Sequence, residues 1–242
     1  MRTWHVAALV VVVAVILTAV GVHVLTKPST TSTGASPGAV ALARSINVRL
    51  GDLPAGWVET TTSAVVPLPA TPDARLRAAQ VLAACVRQPV AVVEGWLGTA
   101  AFPGQSAEAT SPTFEGGSAP TVQMSSTTKV VDSAGATQTL AAPFESPNFA
   151  TCFGAYQSAA AAPATAHVQP VTLSAPTGVK VYGYVTTFTL ADQTTASVGN
   201  AFIIGGRTAT VLQPSAAGPT IPAADFSPAY VAVVGRVARA TG

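Results

Sequence analysis

The hydrophobic pattern opens with an uninterrupted apolar run at residues 6–25, VAALVVVVAVILTAVGVHVL. The run contains no Asp, Glu, Lys or Arg, and as a helix it spans roughly 30 Å, the thickness of a bilayer's hydrocarbon core. This predicts a single transmembrane signal anchor, preceded by a short cytoplasmic N-terminus at residues 1–5. The alternative is a cleaved secretory signal, for which Ala19-Val20-Gly21 offers a site of small residues.

Residues 26–45 are dominated by Ser, Thr, Pro and Gly and show no apolar period before Val40. This composition is typical of a flexible or partly extended linker. The string from Gly34 to Gly38 matches the G-x-S-x-G pattern of hydrolases. That pattern requires a strand, a strained turn and a helix, and none is predicted around it, so we interpret the match as chance.

The predicted extracytoplasmic domain, residues 46–242, begins with a short strand at 46–50. Leu53-Pro54-Ala55-Gly56-Trp57 has the proline and glycine positions of a turn that folds Trp57 back as a core or rim aromatic. Thr71-Pro72-Asp73 is a helix start with a capping hydroxyl and proline at the first position. The helix should end near Gln88, and its apolar face comprises Ala78, Val81, Leu82 and Cys85.

The middle of the chain predicts a strand at 121–131, with Val122, Met124, Ser126, Thr128 and Val130 on one side, and a short helix at 134–142. Residues 90–105 are ambiguous. Ser146-Pro147-Asn148 caps a further helix. Its apolar face comprises Phe149, Cys152, Phe153 and Tyr156.

The last third of the chain has a period of two. Candidate strands lie at 167–174, 179–190, 197–205 and 207–213, and Gly205-Gly206 predicts a hairpin between the last two. A closing helix within 222–240 places Phe226, Tyr230, Val233, Val234 and Val237 on one face. The predicted fold class is α+β, an antiparallel β-sheet packed by helices.

Charged residues make up only 9% of the chain, against about 25% in typical soluble domains. Residues 46–242 contain nine basic and ten acidic residues, with no run of Lys or Arg. Nucleic-acid binding is therefore not expected. A surface kept in water by hydroxyls rather than charges suits contact with a membrane, a wall polymer or a protein partner.

Three short motifs support a resemblance. They are Leu53-Pro54-Ala55-Gly56-Trp57, Ser111-Pro112-Thr113-Phe114 and the stretch from Ser146 to Cys152, SPNFATC. In this order, behind an anchor and a tether, they resemble a class of secreted or membrane-anchored actinobacterial domains. The chain is more distantly similar to the sensor domains of mycobacterial serine/threonine kinases and related lipoproteins. The resemblance covers about residues 46–240 and implies an α+β fold with a ligand cleft, but it implies no particular reaction. The kinase sensors have two disulfides, whereas the two cysteines of this chain can form only one.

Catalytic and metal chemistry has little support in the sequence. His167 is the only histidine after residue 25, and a zinc site needs three or four converging His, Cys or carboxylate ligands. Nothing around His167 supports a Ser-His-Asp triad, and Asp52 and Glu59 flank the Trp57 turn without forming a motif. No cofactor and no catalytic or metal-binding residues are predicted.

The two cysteines, Cys85 and Cys152, both follow the export segment and stand on predicted apolar helix faces. Exported proteins meet an oxidising compartment, so the sequence predicts a disulfide between them; two buried free thiols are the alternative.

The function indicated is a non-catalytic extracytoplasmic module, tethered to the membrane by residues 6–25, that binds an envelope protein or a small apolar ligand. An envelope hydrolase and a structural envelope protein are the alternatives. A pocket lined by Trp57, Trp96, Tyr182 or Tyr184 would favour ligand binding. Converging carboxylates or a serine beside His167 would favour an enzyme.

Overall fold

The computed structural model describes residues 35–61, 72–117, 122–160 and 164–241. The predicted transmembrane run and most of the predicted linker lie outside these ranges. Within them, no helix is both long enough and apolar enough to span a bilayer.

The described residues form an α+β fold, as predicted. The helices are α1 (Pro37–Ile46), α2 (Pro72–Val86), α3 (Val90–Leu97), α4 (Ala134–Ala141), α5 (Phe149–Ala160) and α6 (Ala223–Thr241), with short 3-10 segments at Leu50–Asp52 and Ala142–Glu145. The strands are β1 (Val58–Thr60), β2 (Gln105–Thr110), β3 (Thr113–Gly116), β4 (Val122–Val131), β5 (Thr165–Val171), β6 (Val179–Thr189), β7 (Thr195–Gly205) and β8 (Thr208–Ala217).

All eight strands join one antiparallel sheet in the order β1-β3-β4-β8-β7-β6-β5, and β2 also pairs with β4. The strands at the centre of the sheet were predicted correctly, because β-branched residues alternate along them. The predicted glycine hairpin lies between β7 and β8, where Gly205 pairs with Thr208. The turn residues are therefore Gly206 and Arg207, one position later than predicted.

Side chains alternate between two covered faces of the sheet. One, the α6 face, packs α1 and α6 over Ile203 and Leu212, with Val233 and Val237 of α6 fully buried. The predicted apolar stripe of the closing helix is confirmed, since Phe226 also packs there. The other, the α5 face, packs α2 to α5 over residues such as Phe202 and Ile204.

Helix α1 corrects the predicted linker, whose last part, residues 37–45, is helical and belongs to the domain. Ser36 caps the helix by accepting a hydrogen bond from the Ala39 N–H at 3.1 Å, and Pro37 follows in the first turn. Ala39 and Ala43 are buried against Ala107, Ala109 and Val130. Small residues dock this helix closely on the sheet, a role that composition alone does not distinguish from a linker.

The strand predicted at 46–50 is also wrong. Ile46 ends α1, and Leu50 begins a 3-10 segment. Asn47, which lies between them, is held in place by hydrogen bonds of its side chain. Its amide donates to the Ala109 carbonyl, and its carbonyl oxygen accepts from Ser126 and Thr128. This buried polar network fixes the segment where a strand ladder was expected.

Helix α2 starts at Pro72 as predicted, but its buried face is rotated. Ala79, Leu82, Ala83 and Val86 are buried, whereas Val81 is 67% exposed. Cys85 is exposed as well. The helix ends at Val86, because Arg87 adopts a left-handed conformation with φ 56° ahead of Pro89.

Candidate functional site

A cluster of aromatic rings fills the space between the helices and the α5 face of the sheet. Trp96 of α3 lies at its centre, with its ring centroid 5.1 Å from Phe102, 5.0 Å from Phe144 and 5.2 Å from Phe202, all edge-on. The Trp96 indole N–H donates to the Leu140 carbonyl at 2.8 Å. Edge-to-face contacts of this kind are favourable beyond area burial, so the cluster holds α3, the 3-10 segment and the sheet together.

Two tyrosines of β6 extend this aromatic cluster. Phe144 stacks on Tyr182 at 5.1 Å, and Phe149 lies 4.8 Å from Tyr184. Burial raises the pKa of Tyr184 to about 12. Burial, together with a hydrogen bond to Glu145, raises the pKa of Tyr182 well above its ordinary value. Both phenols therefore stay neutral at physiological pH.

A charged group forms the outer rim of the cluster. The Lys180 ammonium donates to Glu145 Oε1 at 2.8 Å, and the Tyr182 hydroxyl donates to the same oxygen at 3.0 Å. These hydrogen bonds, first that from Lys180, lower the pKa of Glu145. Glu145 and Lys180 are each about half exposed. Their charges therefore lie at the solvent edge of the cluster and not among the buried rings.

The predicted disulfide between Cys85 and Cys152 is present, with Cα atoms 5.9 Å apart. It joins α2 to α5 beside the aromatic cluster. Cys152 is buried next to Phe149 and Phe153, as predicted, whereas Cys85 lies on the exposed side of α2. The bond therefore fixes the outer helix α2 to the buried helix α5.

The four aromatic residues predicted to line a pocket do not all converge. Trp96, Tyr182 and Tyr184 share the aromatic cluster, but Trp57 lies on the α6 face with Phe114. The Trp57 ring packs directly on Gly116, where an added Cβ would lie 2.6 Å from the ring. Trp57 is thus the buried core aromatic that the turn motif predicted.

Three polar side chains that the sequence did not single out are buried next to the aromatic cluster. Gln157 Oε1 on α5, Thr186 Oγ1 on β6 and Asn200 Nδ2 on β7 have no hydrogen-bond partner among the described residues. A buried group left without a partner costs about 1–3 kcal/mol. No periodic pattern marks these residues, because they come from three separate elements.

The residues considered for catalysis remain apart. His167 is exposed on the edge strand β5, across from Thr187, and Glu59 is exposed on β1. Asp52 forms a salt bridge with Arg236. In the part of the chain that the structure describes, no three His, Cys, Asp or Glu residues lie close enough together to hold a metal ion.

Comparison with known proteins gives one weak structural likeness. No protein-family model matches the chain, and no curated protein matches it by sequence. The fold is weakly similar to the crystal structure of the extracellular domain of PknH from Mycobacterium tuberculosis, with 10% sequence identity and a TM-score of 0.35. The match covers 56% of this chain and 66% of that one, just under two thirds of its length.

Proposed function

We propose that this protein is a non-catalytic extracytoplasmic module that is tethered to the membrane through residues 6–25 and binds a small apolar ligand of the cell envelope. The aromatic cluster centred on Trp96 carries the proposal. It presents Tyr182 partly exposed at its rim and lies between helices and a sheet, the setting in which ligand sites commonly form.

The disulfide supports the location. Disulfides persist in oxidising compartments and are rare in the cytosol. The bond between Cys85 and Cys152 is formed in this structure. A domain fixed by this bond therefore suits the outer side of the cytoplasmic membrane.

Binding is tested with short water-soluble amphiphiles, hexanamide and hexanoate, added to the full chain in lipid nanodiscs. The part of the fluorescence that is lost in a Trp96→Phe variant, since Trp96 is one of three tryptophans, and the melting temperature report on the cluster. Empty nanodiscs correct for partitioning into lipid. Binding of at least one probe, weakened by a Tyr182→Ala substitution at the rim, is the expected result. If neither probe changes the fluorescence or the melting temperature, the ligand-binding function is wrong.

A further inference from the structure

We infer that the ligand carries a neutral polar head group, a hydroxyl or a carboxamide, that is held by Thr186, Asn200 and Gln157 at the border of the aromatic cluster. This inference rests on the proposed binding function and specifies its ligand class. The three side chains are each at least nine-tenths buried, with exposed fractions of 0%, 5% and 4%, and each has an atom without a partner.

The sheet register places two of these groups next to each other. Thr186 pairs with Val198, and Asn200 lies two residues further along β7, on the same face. Such diagonal neighbours are about 7–8 Å apart. Tyr184, which pairs directly with Asn200, belongs to the aromatic cluster. Thr186 and Asn200 therefore lie immediately beside the proposed apolar site.

Helix α5, which carries Gln157, lies over the part of β5 that pairs with Thr186. A Cβ added to Gly154 would lie 3.7 Å from Val168, and Val168 pairs with Thr186. One turn later, Ser158 Oγ accepts a hydrogen bond from the Ala166 N–H at 3.0 Å. The turn that carries Gln157 thus lies along β5 beside Thr186.

Gln213 of β8 connects this group of buried side chains to the surface. Gln213, which is partly exposed, donates a hydrogen bond to Asn200 Oδ1 at 3.0 Å. If both amides are turned round, Asn200 donates to Gln213 instead, and its oxygen is then the atom left without a partner. In either case, rotation of the Gln213 side chain would free the atom of Asn200 that this hydrogen bond occupies.

The three groups define the chemistry of the head group. Gln157 offers an acceptor, Asn200 offers a donor or, if its amide is turned round, an acceptor, and the Thr186 hydroxyl can do both. None of them is ionisable, and Val168, Tyr184, Val198 and Gln213 around them are uncharged at neutral pH. A charged head group would be desolvated here without a counter-charge, whereas a hydroxyl or carboxamide satisfies a donor and an acceptor together.

The test compares probes that share a chain and differ in the head group. We expect hexanamide to bind the full chain in nanodiscs at least about tenfold more tightly than hexanoate, the effect of one or two well-formed hydrogen bonds. Thr186→Val, which keeps the shape of the side chain, and Asn200→Leu should reduce that preference several-fold. Thr187→Val, the adjacent residue on the opposite face, is the matched control.

The outcomes separate the two proposals. Equal affinity for the two probes, or a preference that Thr186→Val leaves unchanged, overturns the head-group assignment and leaves apolar binding intact. Failure of both probes to bind overturns both proposals. Thr186→Val decides alone if Asn200→Leu does not fold, because replacing a buried hydroxyl without a partner by a methyl is not expected to destabilise the core.

Discussion

At the scale of single residues, Arg236 joins the two ends of the domain. Its guanidinium donates to the Ile46 and Asn47 carbonyls and to both oxygens of Asp52. Asp52 and Arg236 are largely buried, with side chains 13% and 14% exposed. This pairing ties the segment after α1 to the closing helix α6.

Asp52→Asn should lower the free energy of unfolding at pH 7 by about 2 kcal/mol, the usual effect of hydrogen bonds to charged groups. Burial pushes the pKa of Asp52 up, but hydrogen bonds from Arg236 and the Arg49 N–H hold it below its ordinary value. The stabilisation is therefore complete above the unfolded pKa near 3.8 and is lost as pH falls through the folded pKa.

Urea unfolding of the wild type and Asp52→Asn at pH 7 and below pH 4 checks this prediction. The two proteins should differ at pH 7 and converge as Asp52 is protonated. Glu59→Gln, at an exposed carboxylate, is the matched control and should change little. A difference between wild type and variant that stays constant down to pH 2 would contradict the role given to the pair.

Lys129 is a buried cation whose ammonium donates to the Gly95 carbonyl at 2.7 Å and lies 3.3 Å from Glu108. Burial lowers its pKa from 10.5, and Glu108 only partly opposes this. The unfolded chain therefore binds the proton more tightly. Because of this, the contribution of Lys129 to stability rises with pH between the folded pKa and 10.5.

Lys129→Met should change the unfolding free energy at pH 7 by less than about 1 kcal/mol, because relief of desolvation offsets the lost contacts. As the pH approaches 10.5, the ordinary pKa of a lysine, the wild type should gain stability relative to this variant. Lys180→Met, at a side chain 54% exposed, should show no such trend. A loss above about 3 kcal/mol at pH 7 would mean that the ion pair outweighs its desolvation.

At the scale of elements, α3 depends on a glycine. A Cβ on Gly95 would lie 2.0 Å from the Phe102 ring, so Gly95→Ala should separate α3 from the segment before β2. We expect a loss of about 2–3 kcal/mol, as for other overpacked sites, measured by thermal or urea unfolding. Gly135→Ala in α4, whose nearest atom would be 3.9 Å away, should be neutral or slightly stabilising.

The disulfide is the other element-scale constraint. Its residues are separated by 67 positions, and the chain-entropy model rates a loop of this length at roughly 4 kcal/mol. The double variant Cys85→Ser/Cys152→Ala should lose a comparable amount in guanidinium unfolding. Reduced wild-type protein should unfold at nearly the same midpoint as the variant. A variant as stable as the oxidised protein would show that packing alone fixes α2.

The elements also show how far the sequence could be interpreted. The strands from β4 to β8 and the helices α4 to α6 were predicted because β-branched alternation, caps and apolar stripes coincide there. Helix α1 was missed, since alanines docked on a sheet resemble a linker. On α2, buried alanines at 79 and 83 carry little hydrophobic signal, so the exposed Val81 was assigned to the core face.

The site was predictable only in part for a similar reason. Trp96, Tyr182 and Tyr184 stood out as large aromatics and do come together. The sequence did not single out the three buried polar side chains, Gln157, Thr186 and Asn200. What distinguishes them is that each has a buried polar atom without a hydrogen-bond partner, which depends on the fold. Only the register between β6 and β7 and the position of α5 reveal it.

At the scale of the whole molecule, α1 shortens the tether of the proposed topology. Residues 26–35 alone would connect the predicted membrane span to the domain. Fully extended, they reach at most about 35 Å. On this account the domain works close to the membrane surface, where an amphiphilic ligand is concentrated.

The central claim is that the domain lies outside the cytoplasmic membrane, and a topology reporter tests it most directly. Alkaline phosphatase, which is active only after export, and a reporter that is active only in the cytoplasm are each fused after Gly242 in separate strains. The account predicts an active phosphatase and an inactive cytoplasmic reporter. An active cytoplasmic reporter together with an inactive phosphatase would contradict it.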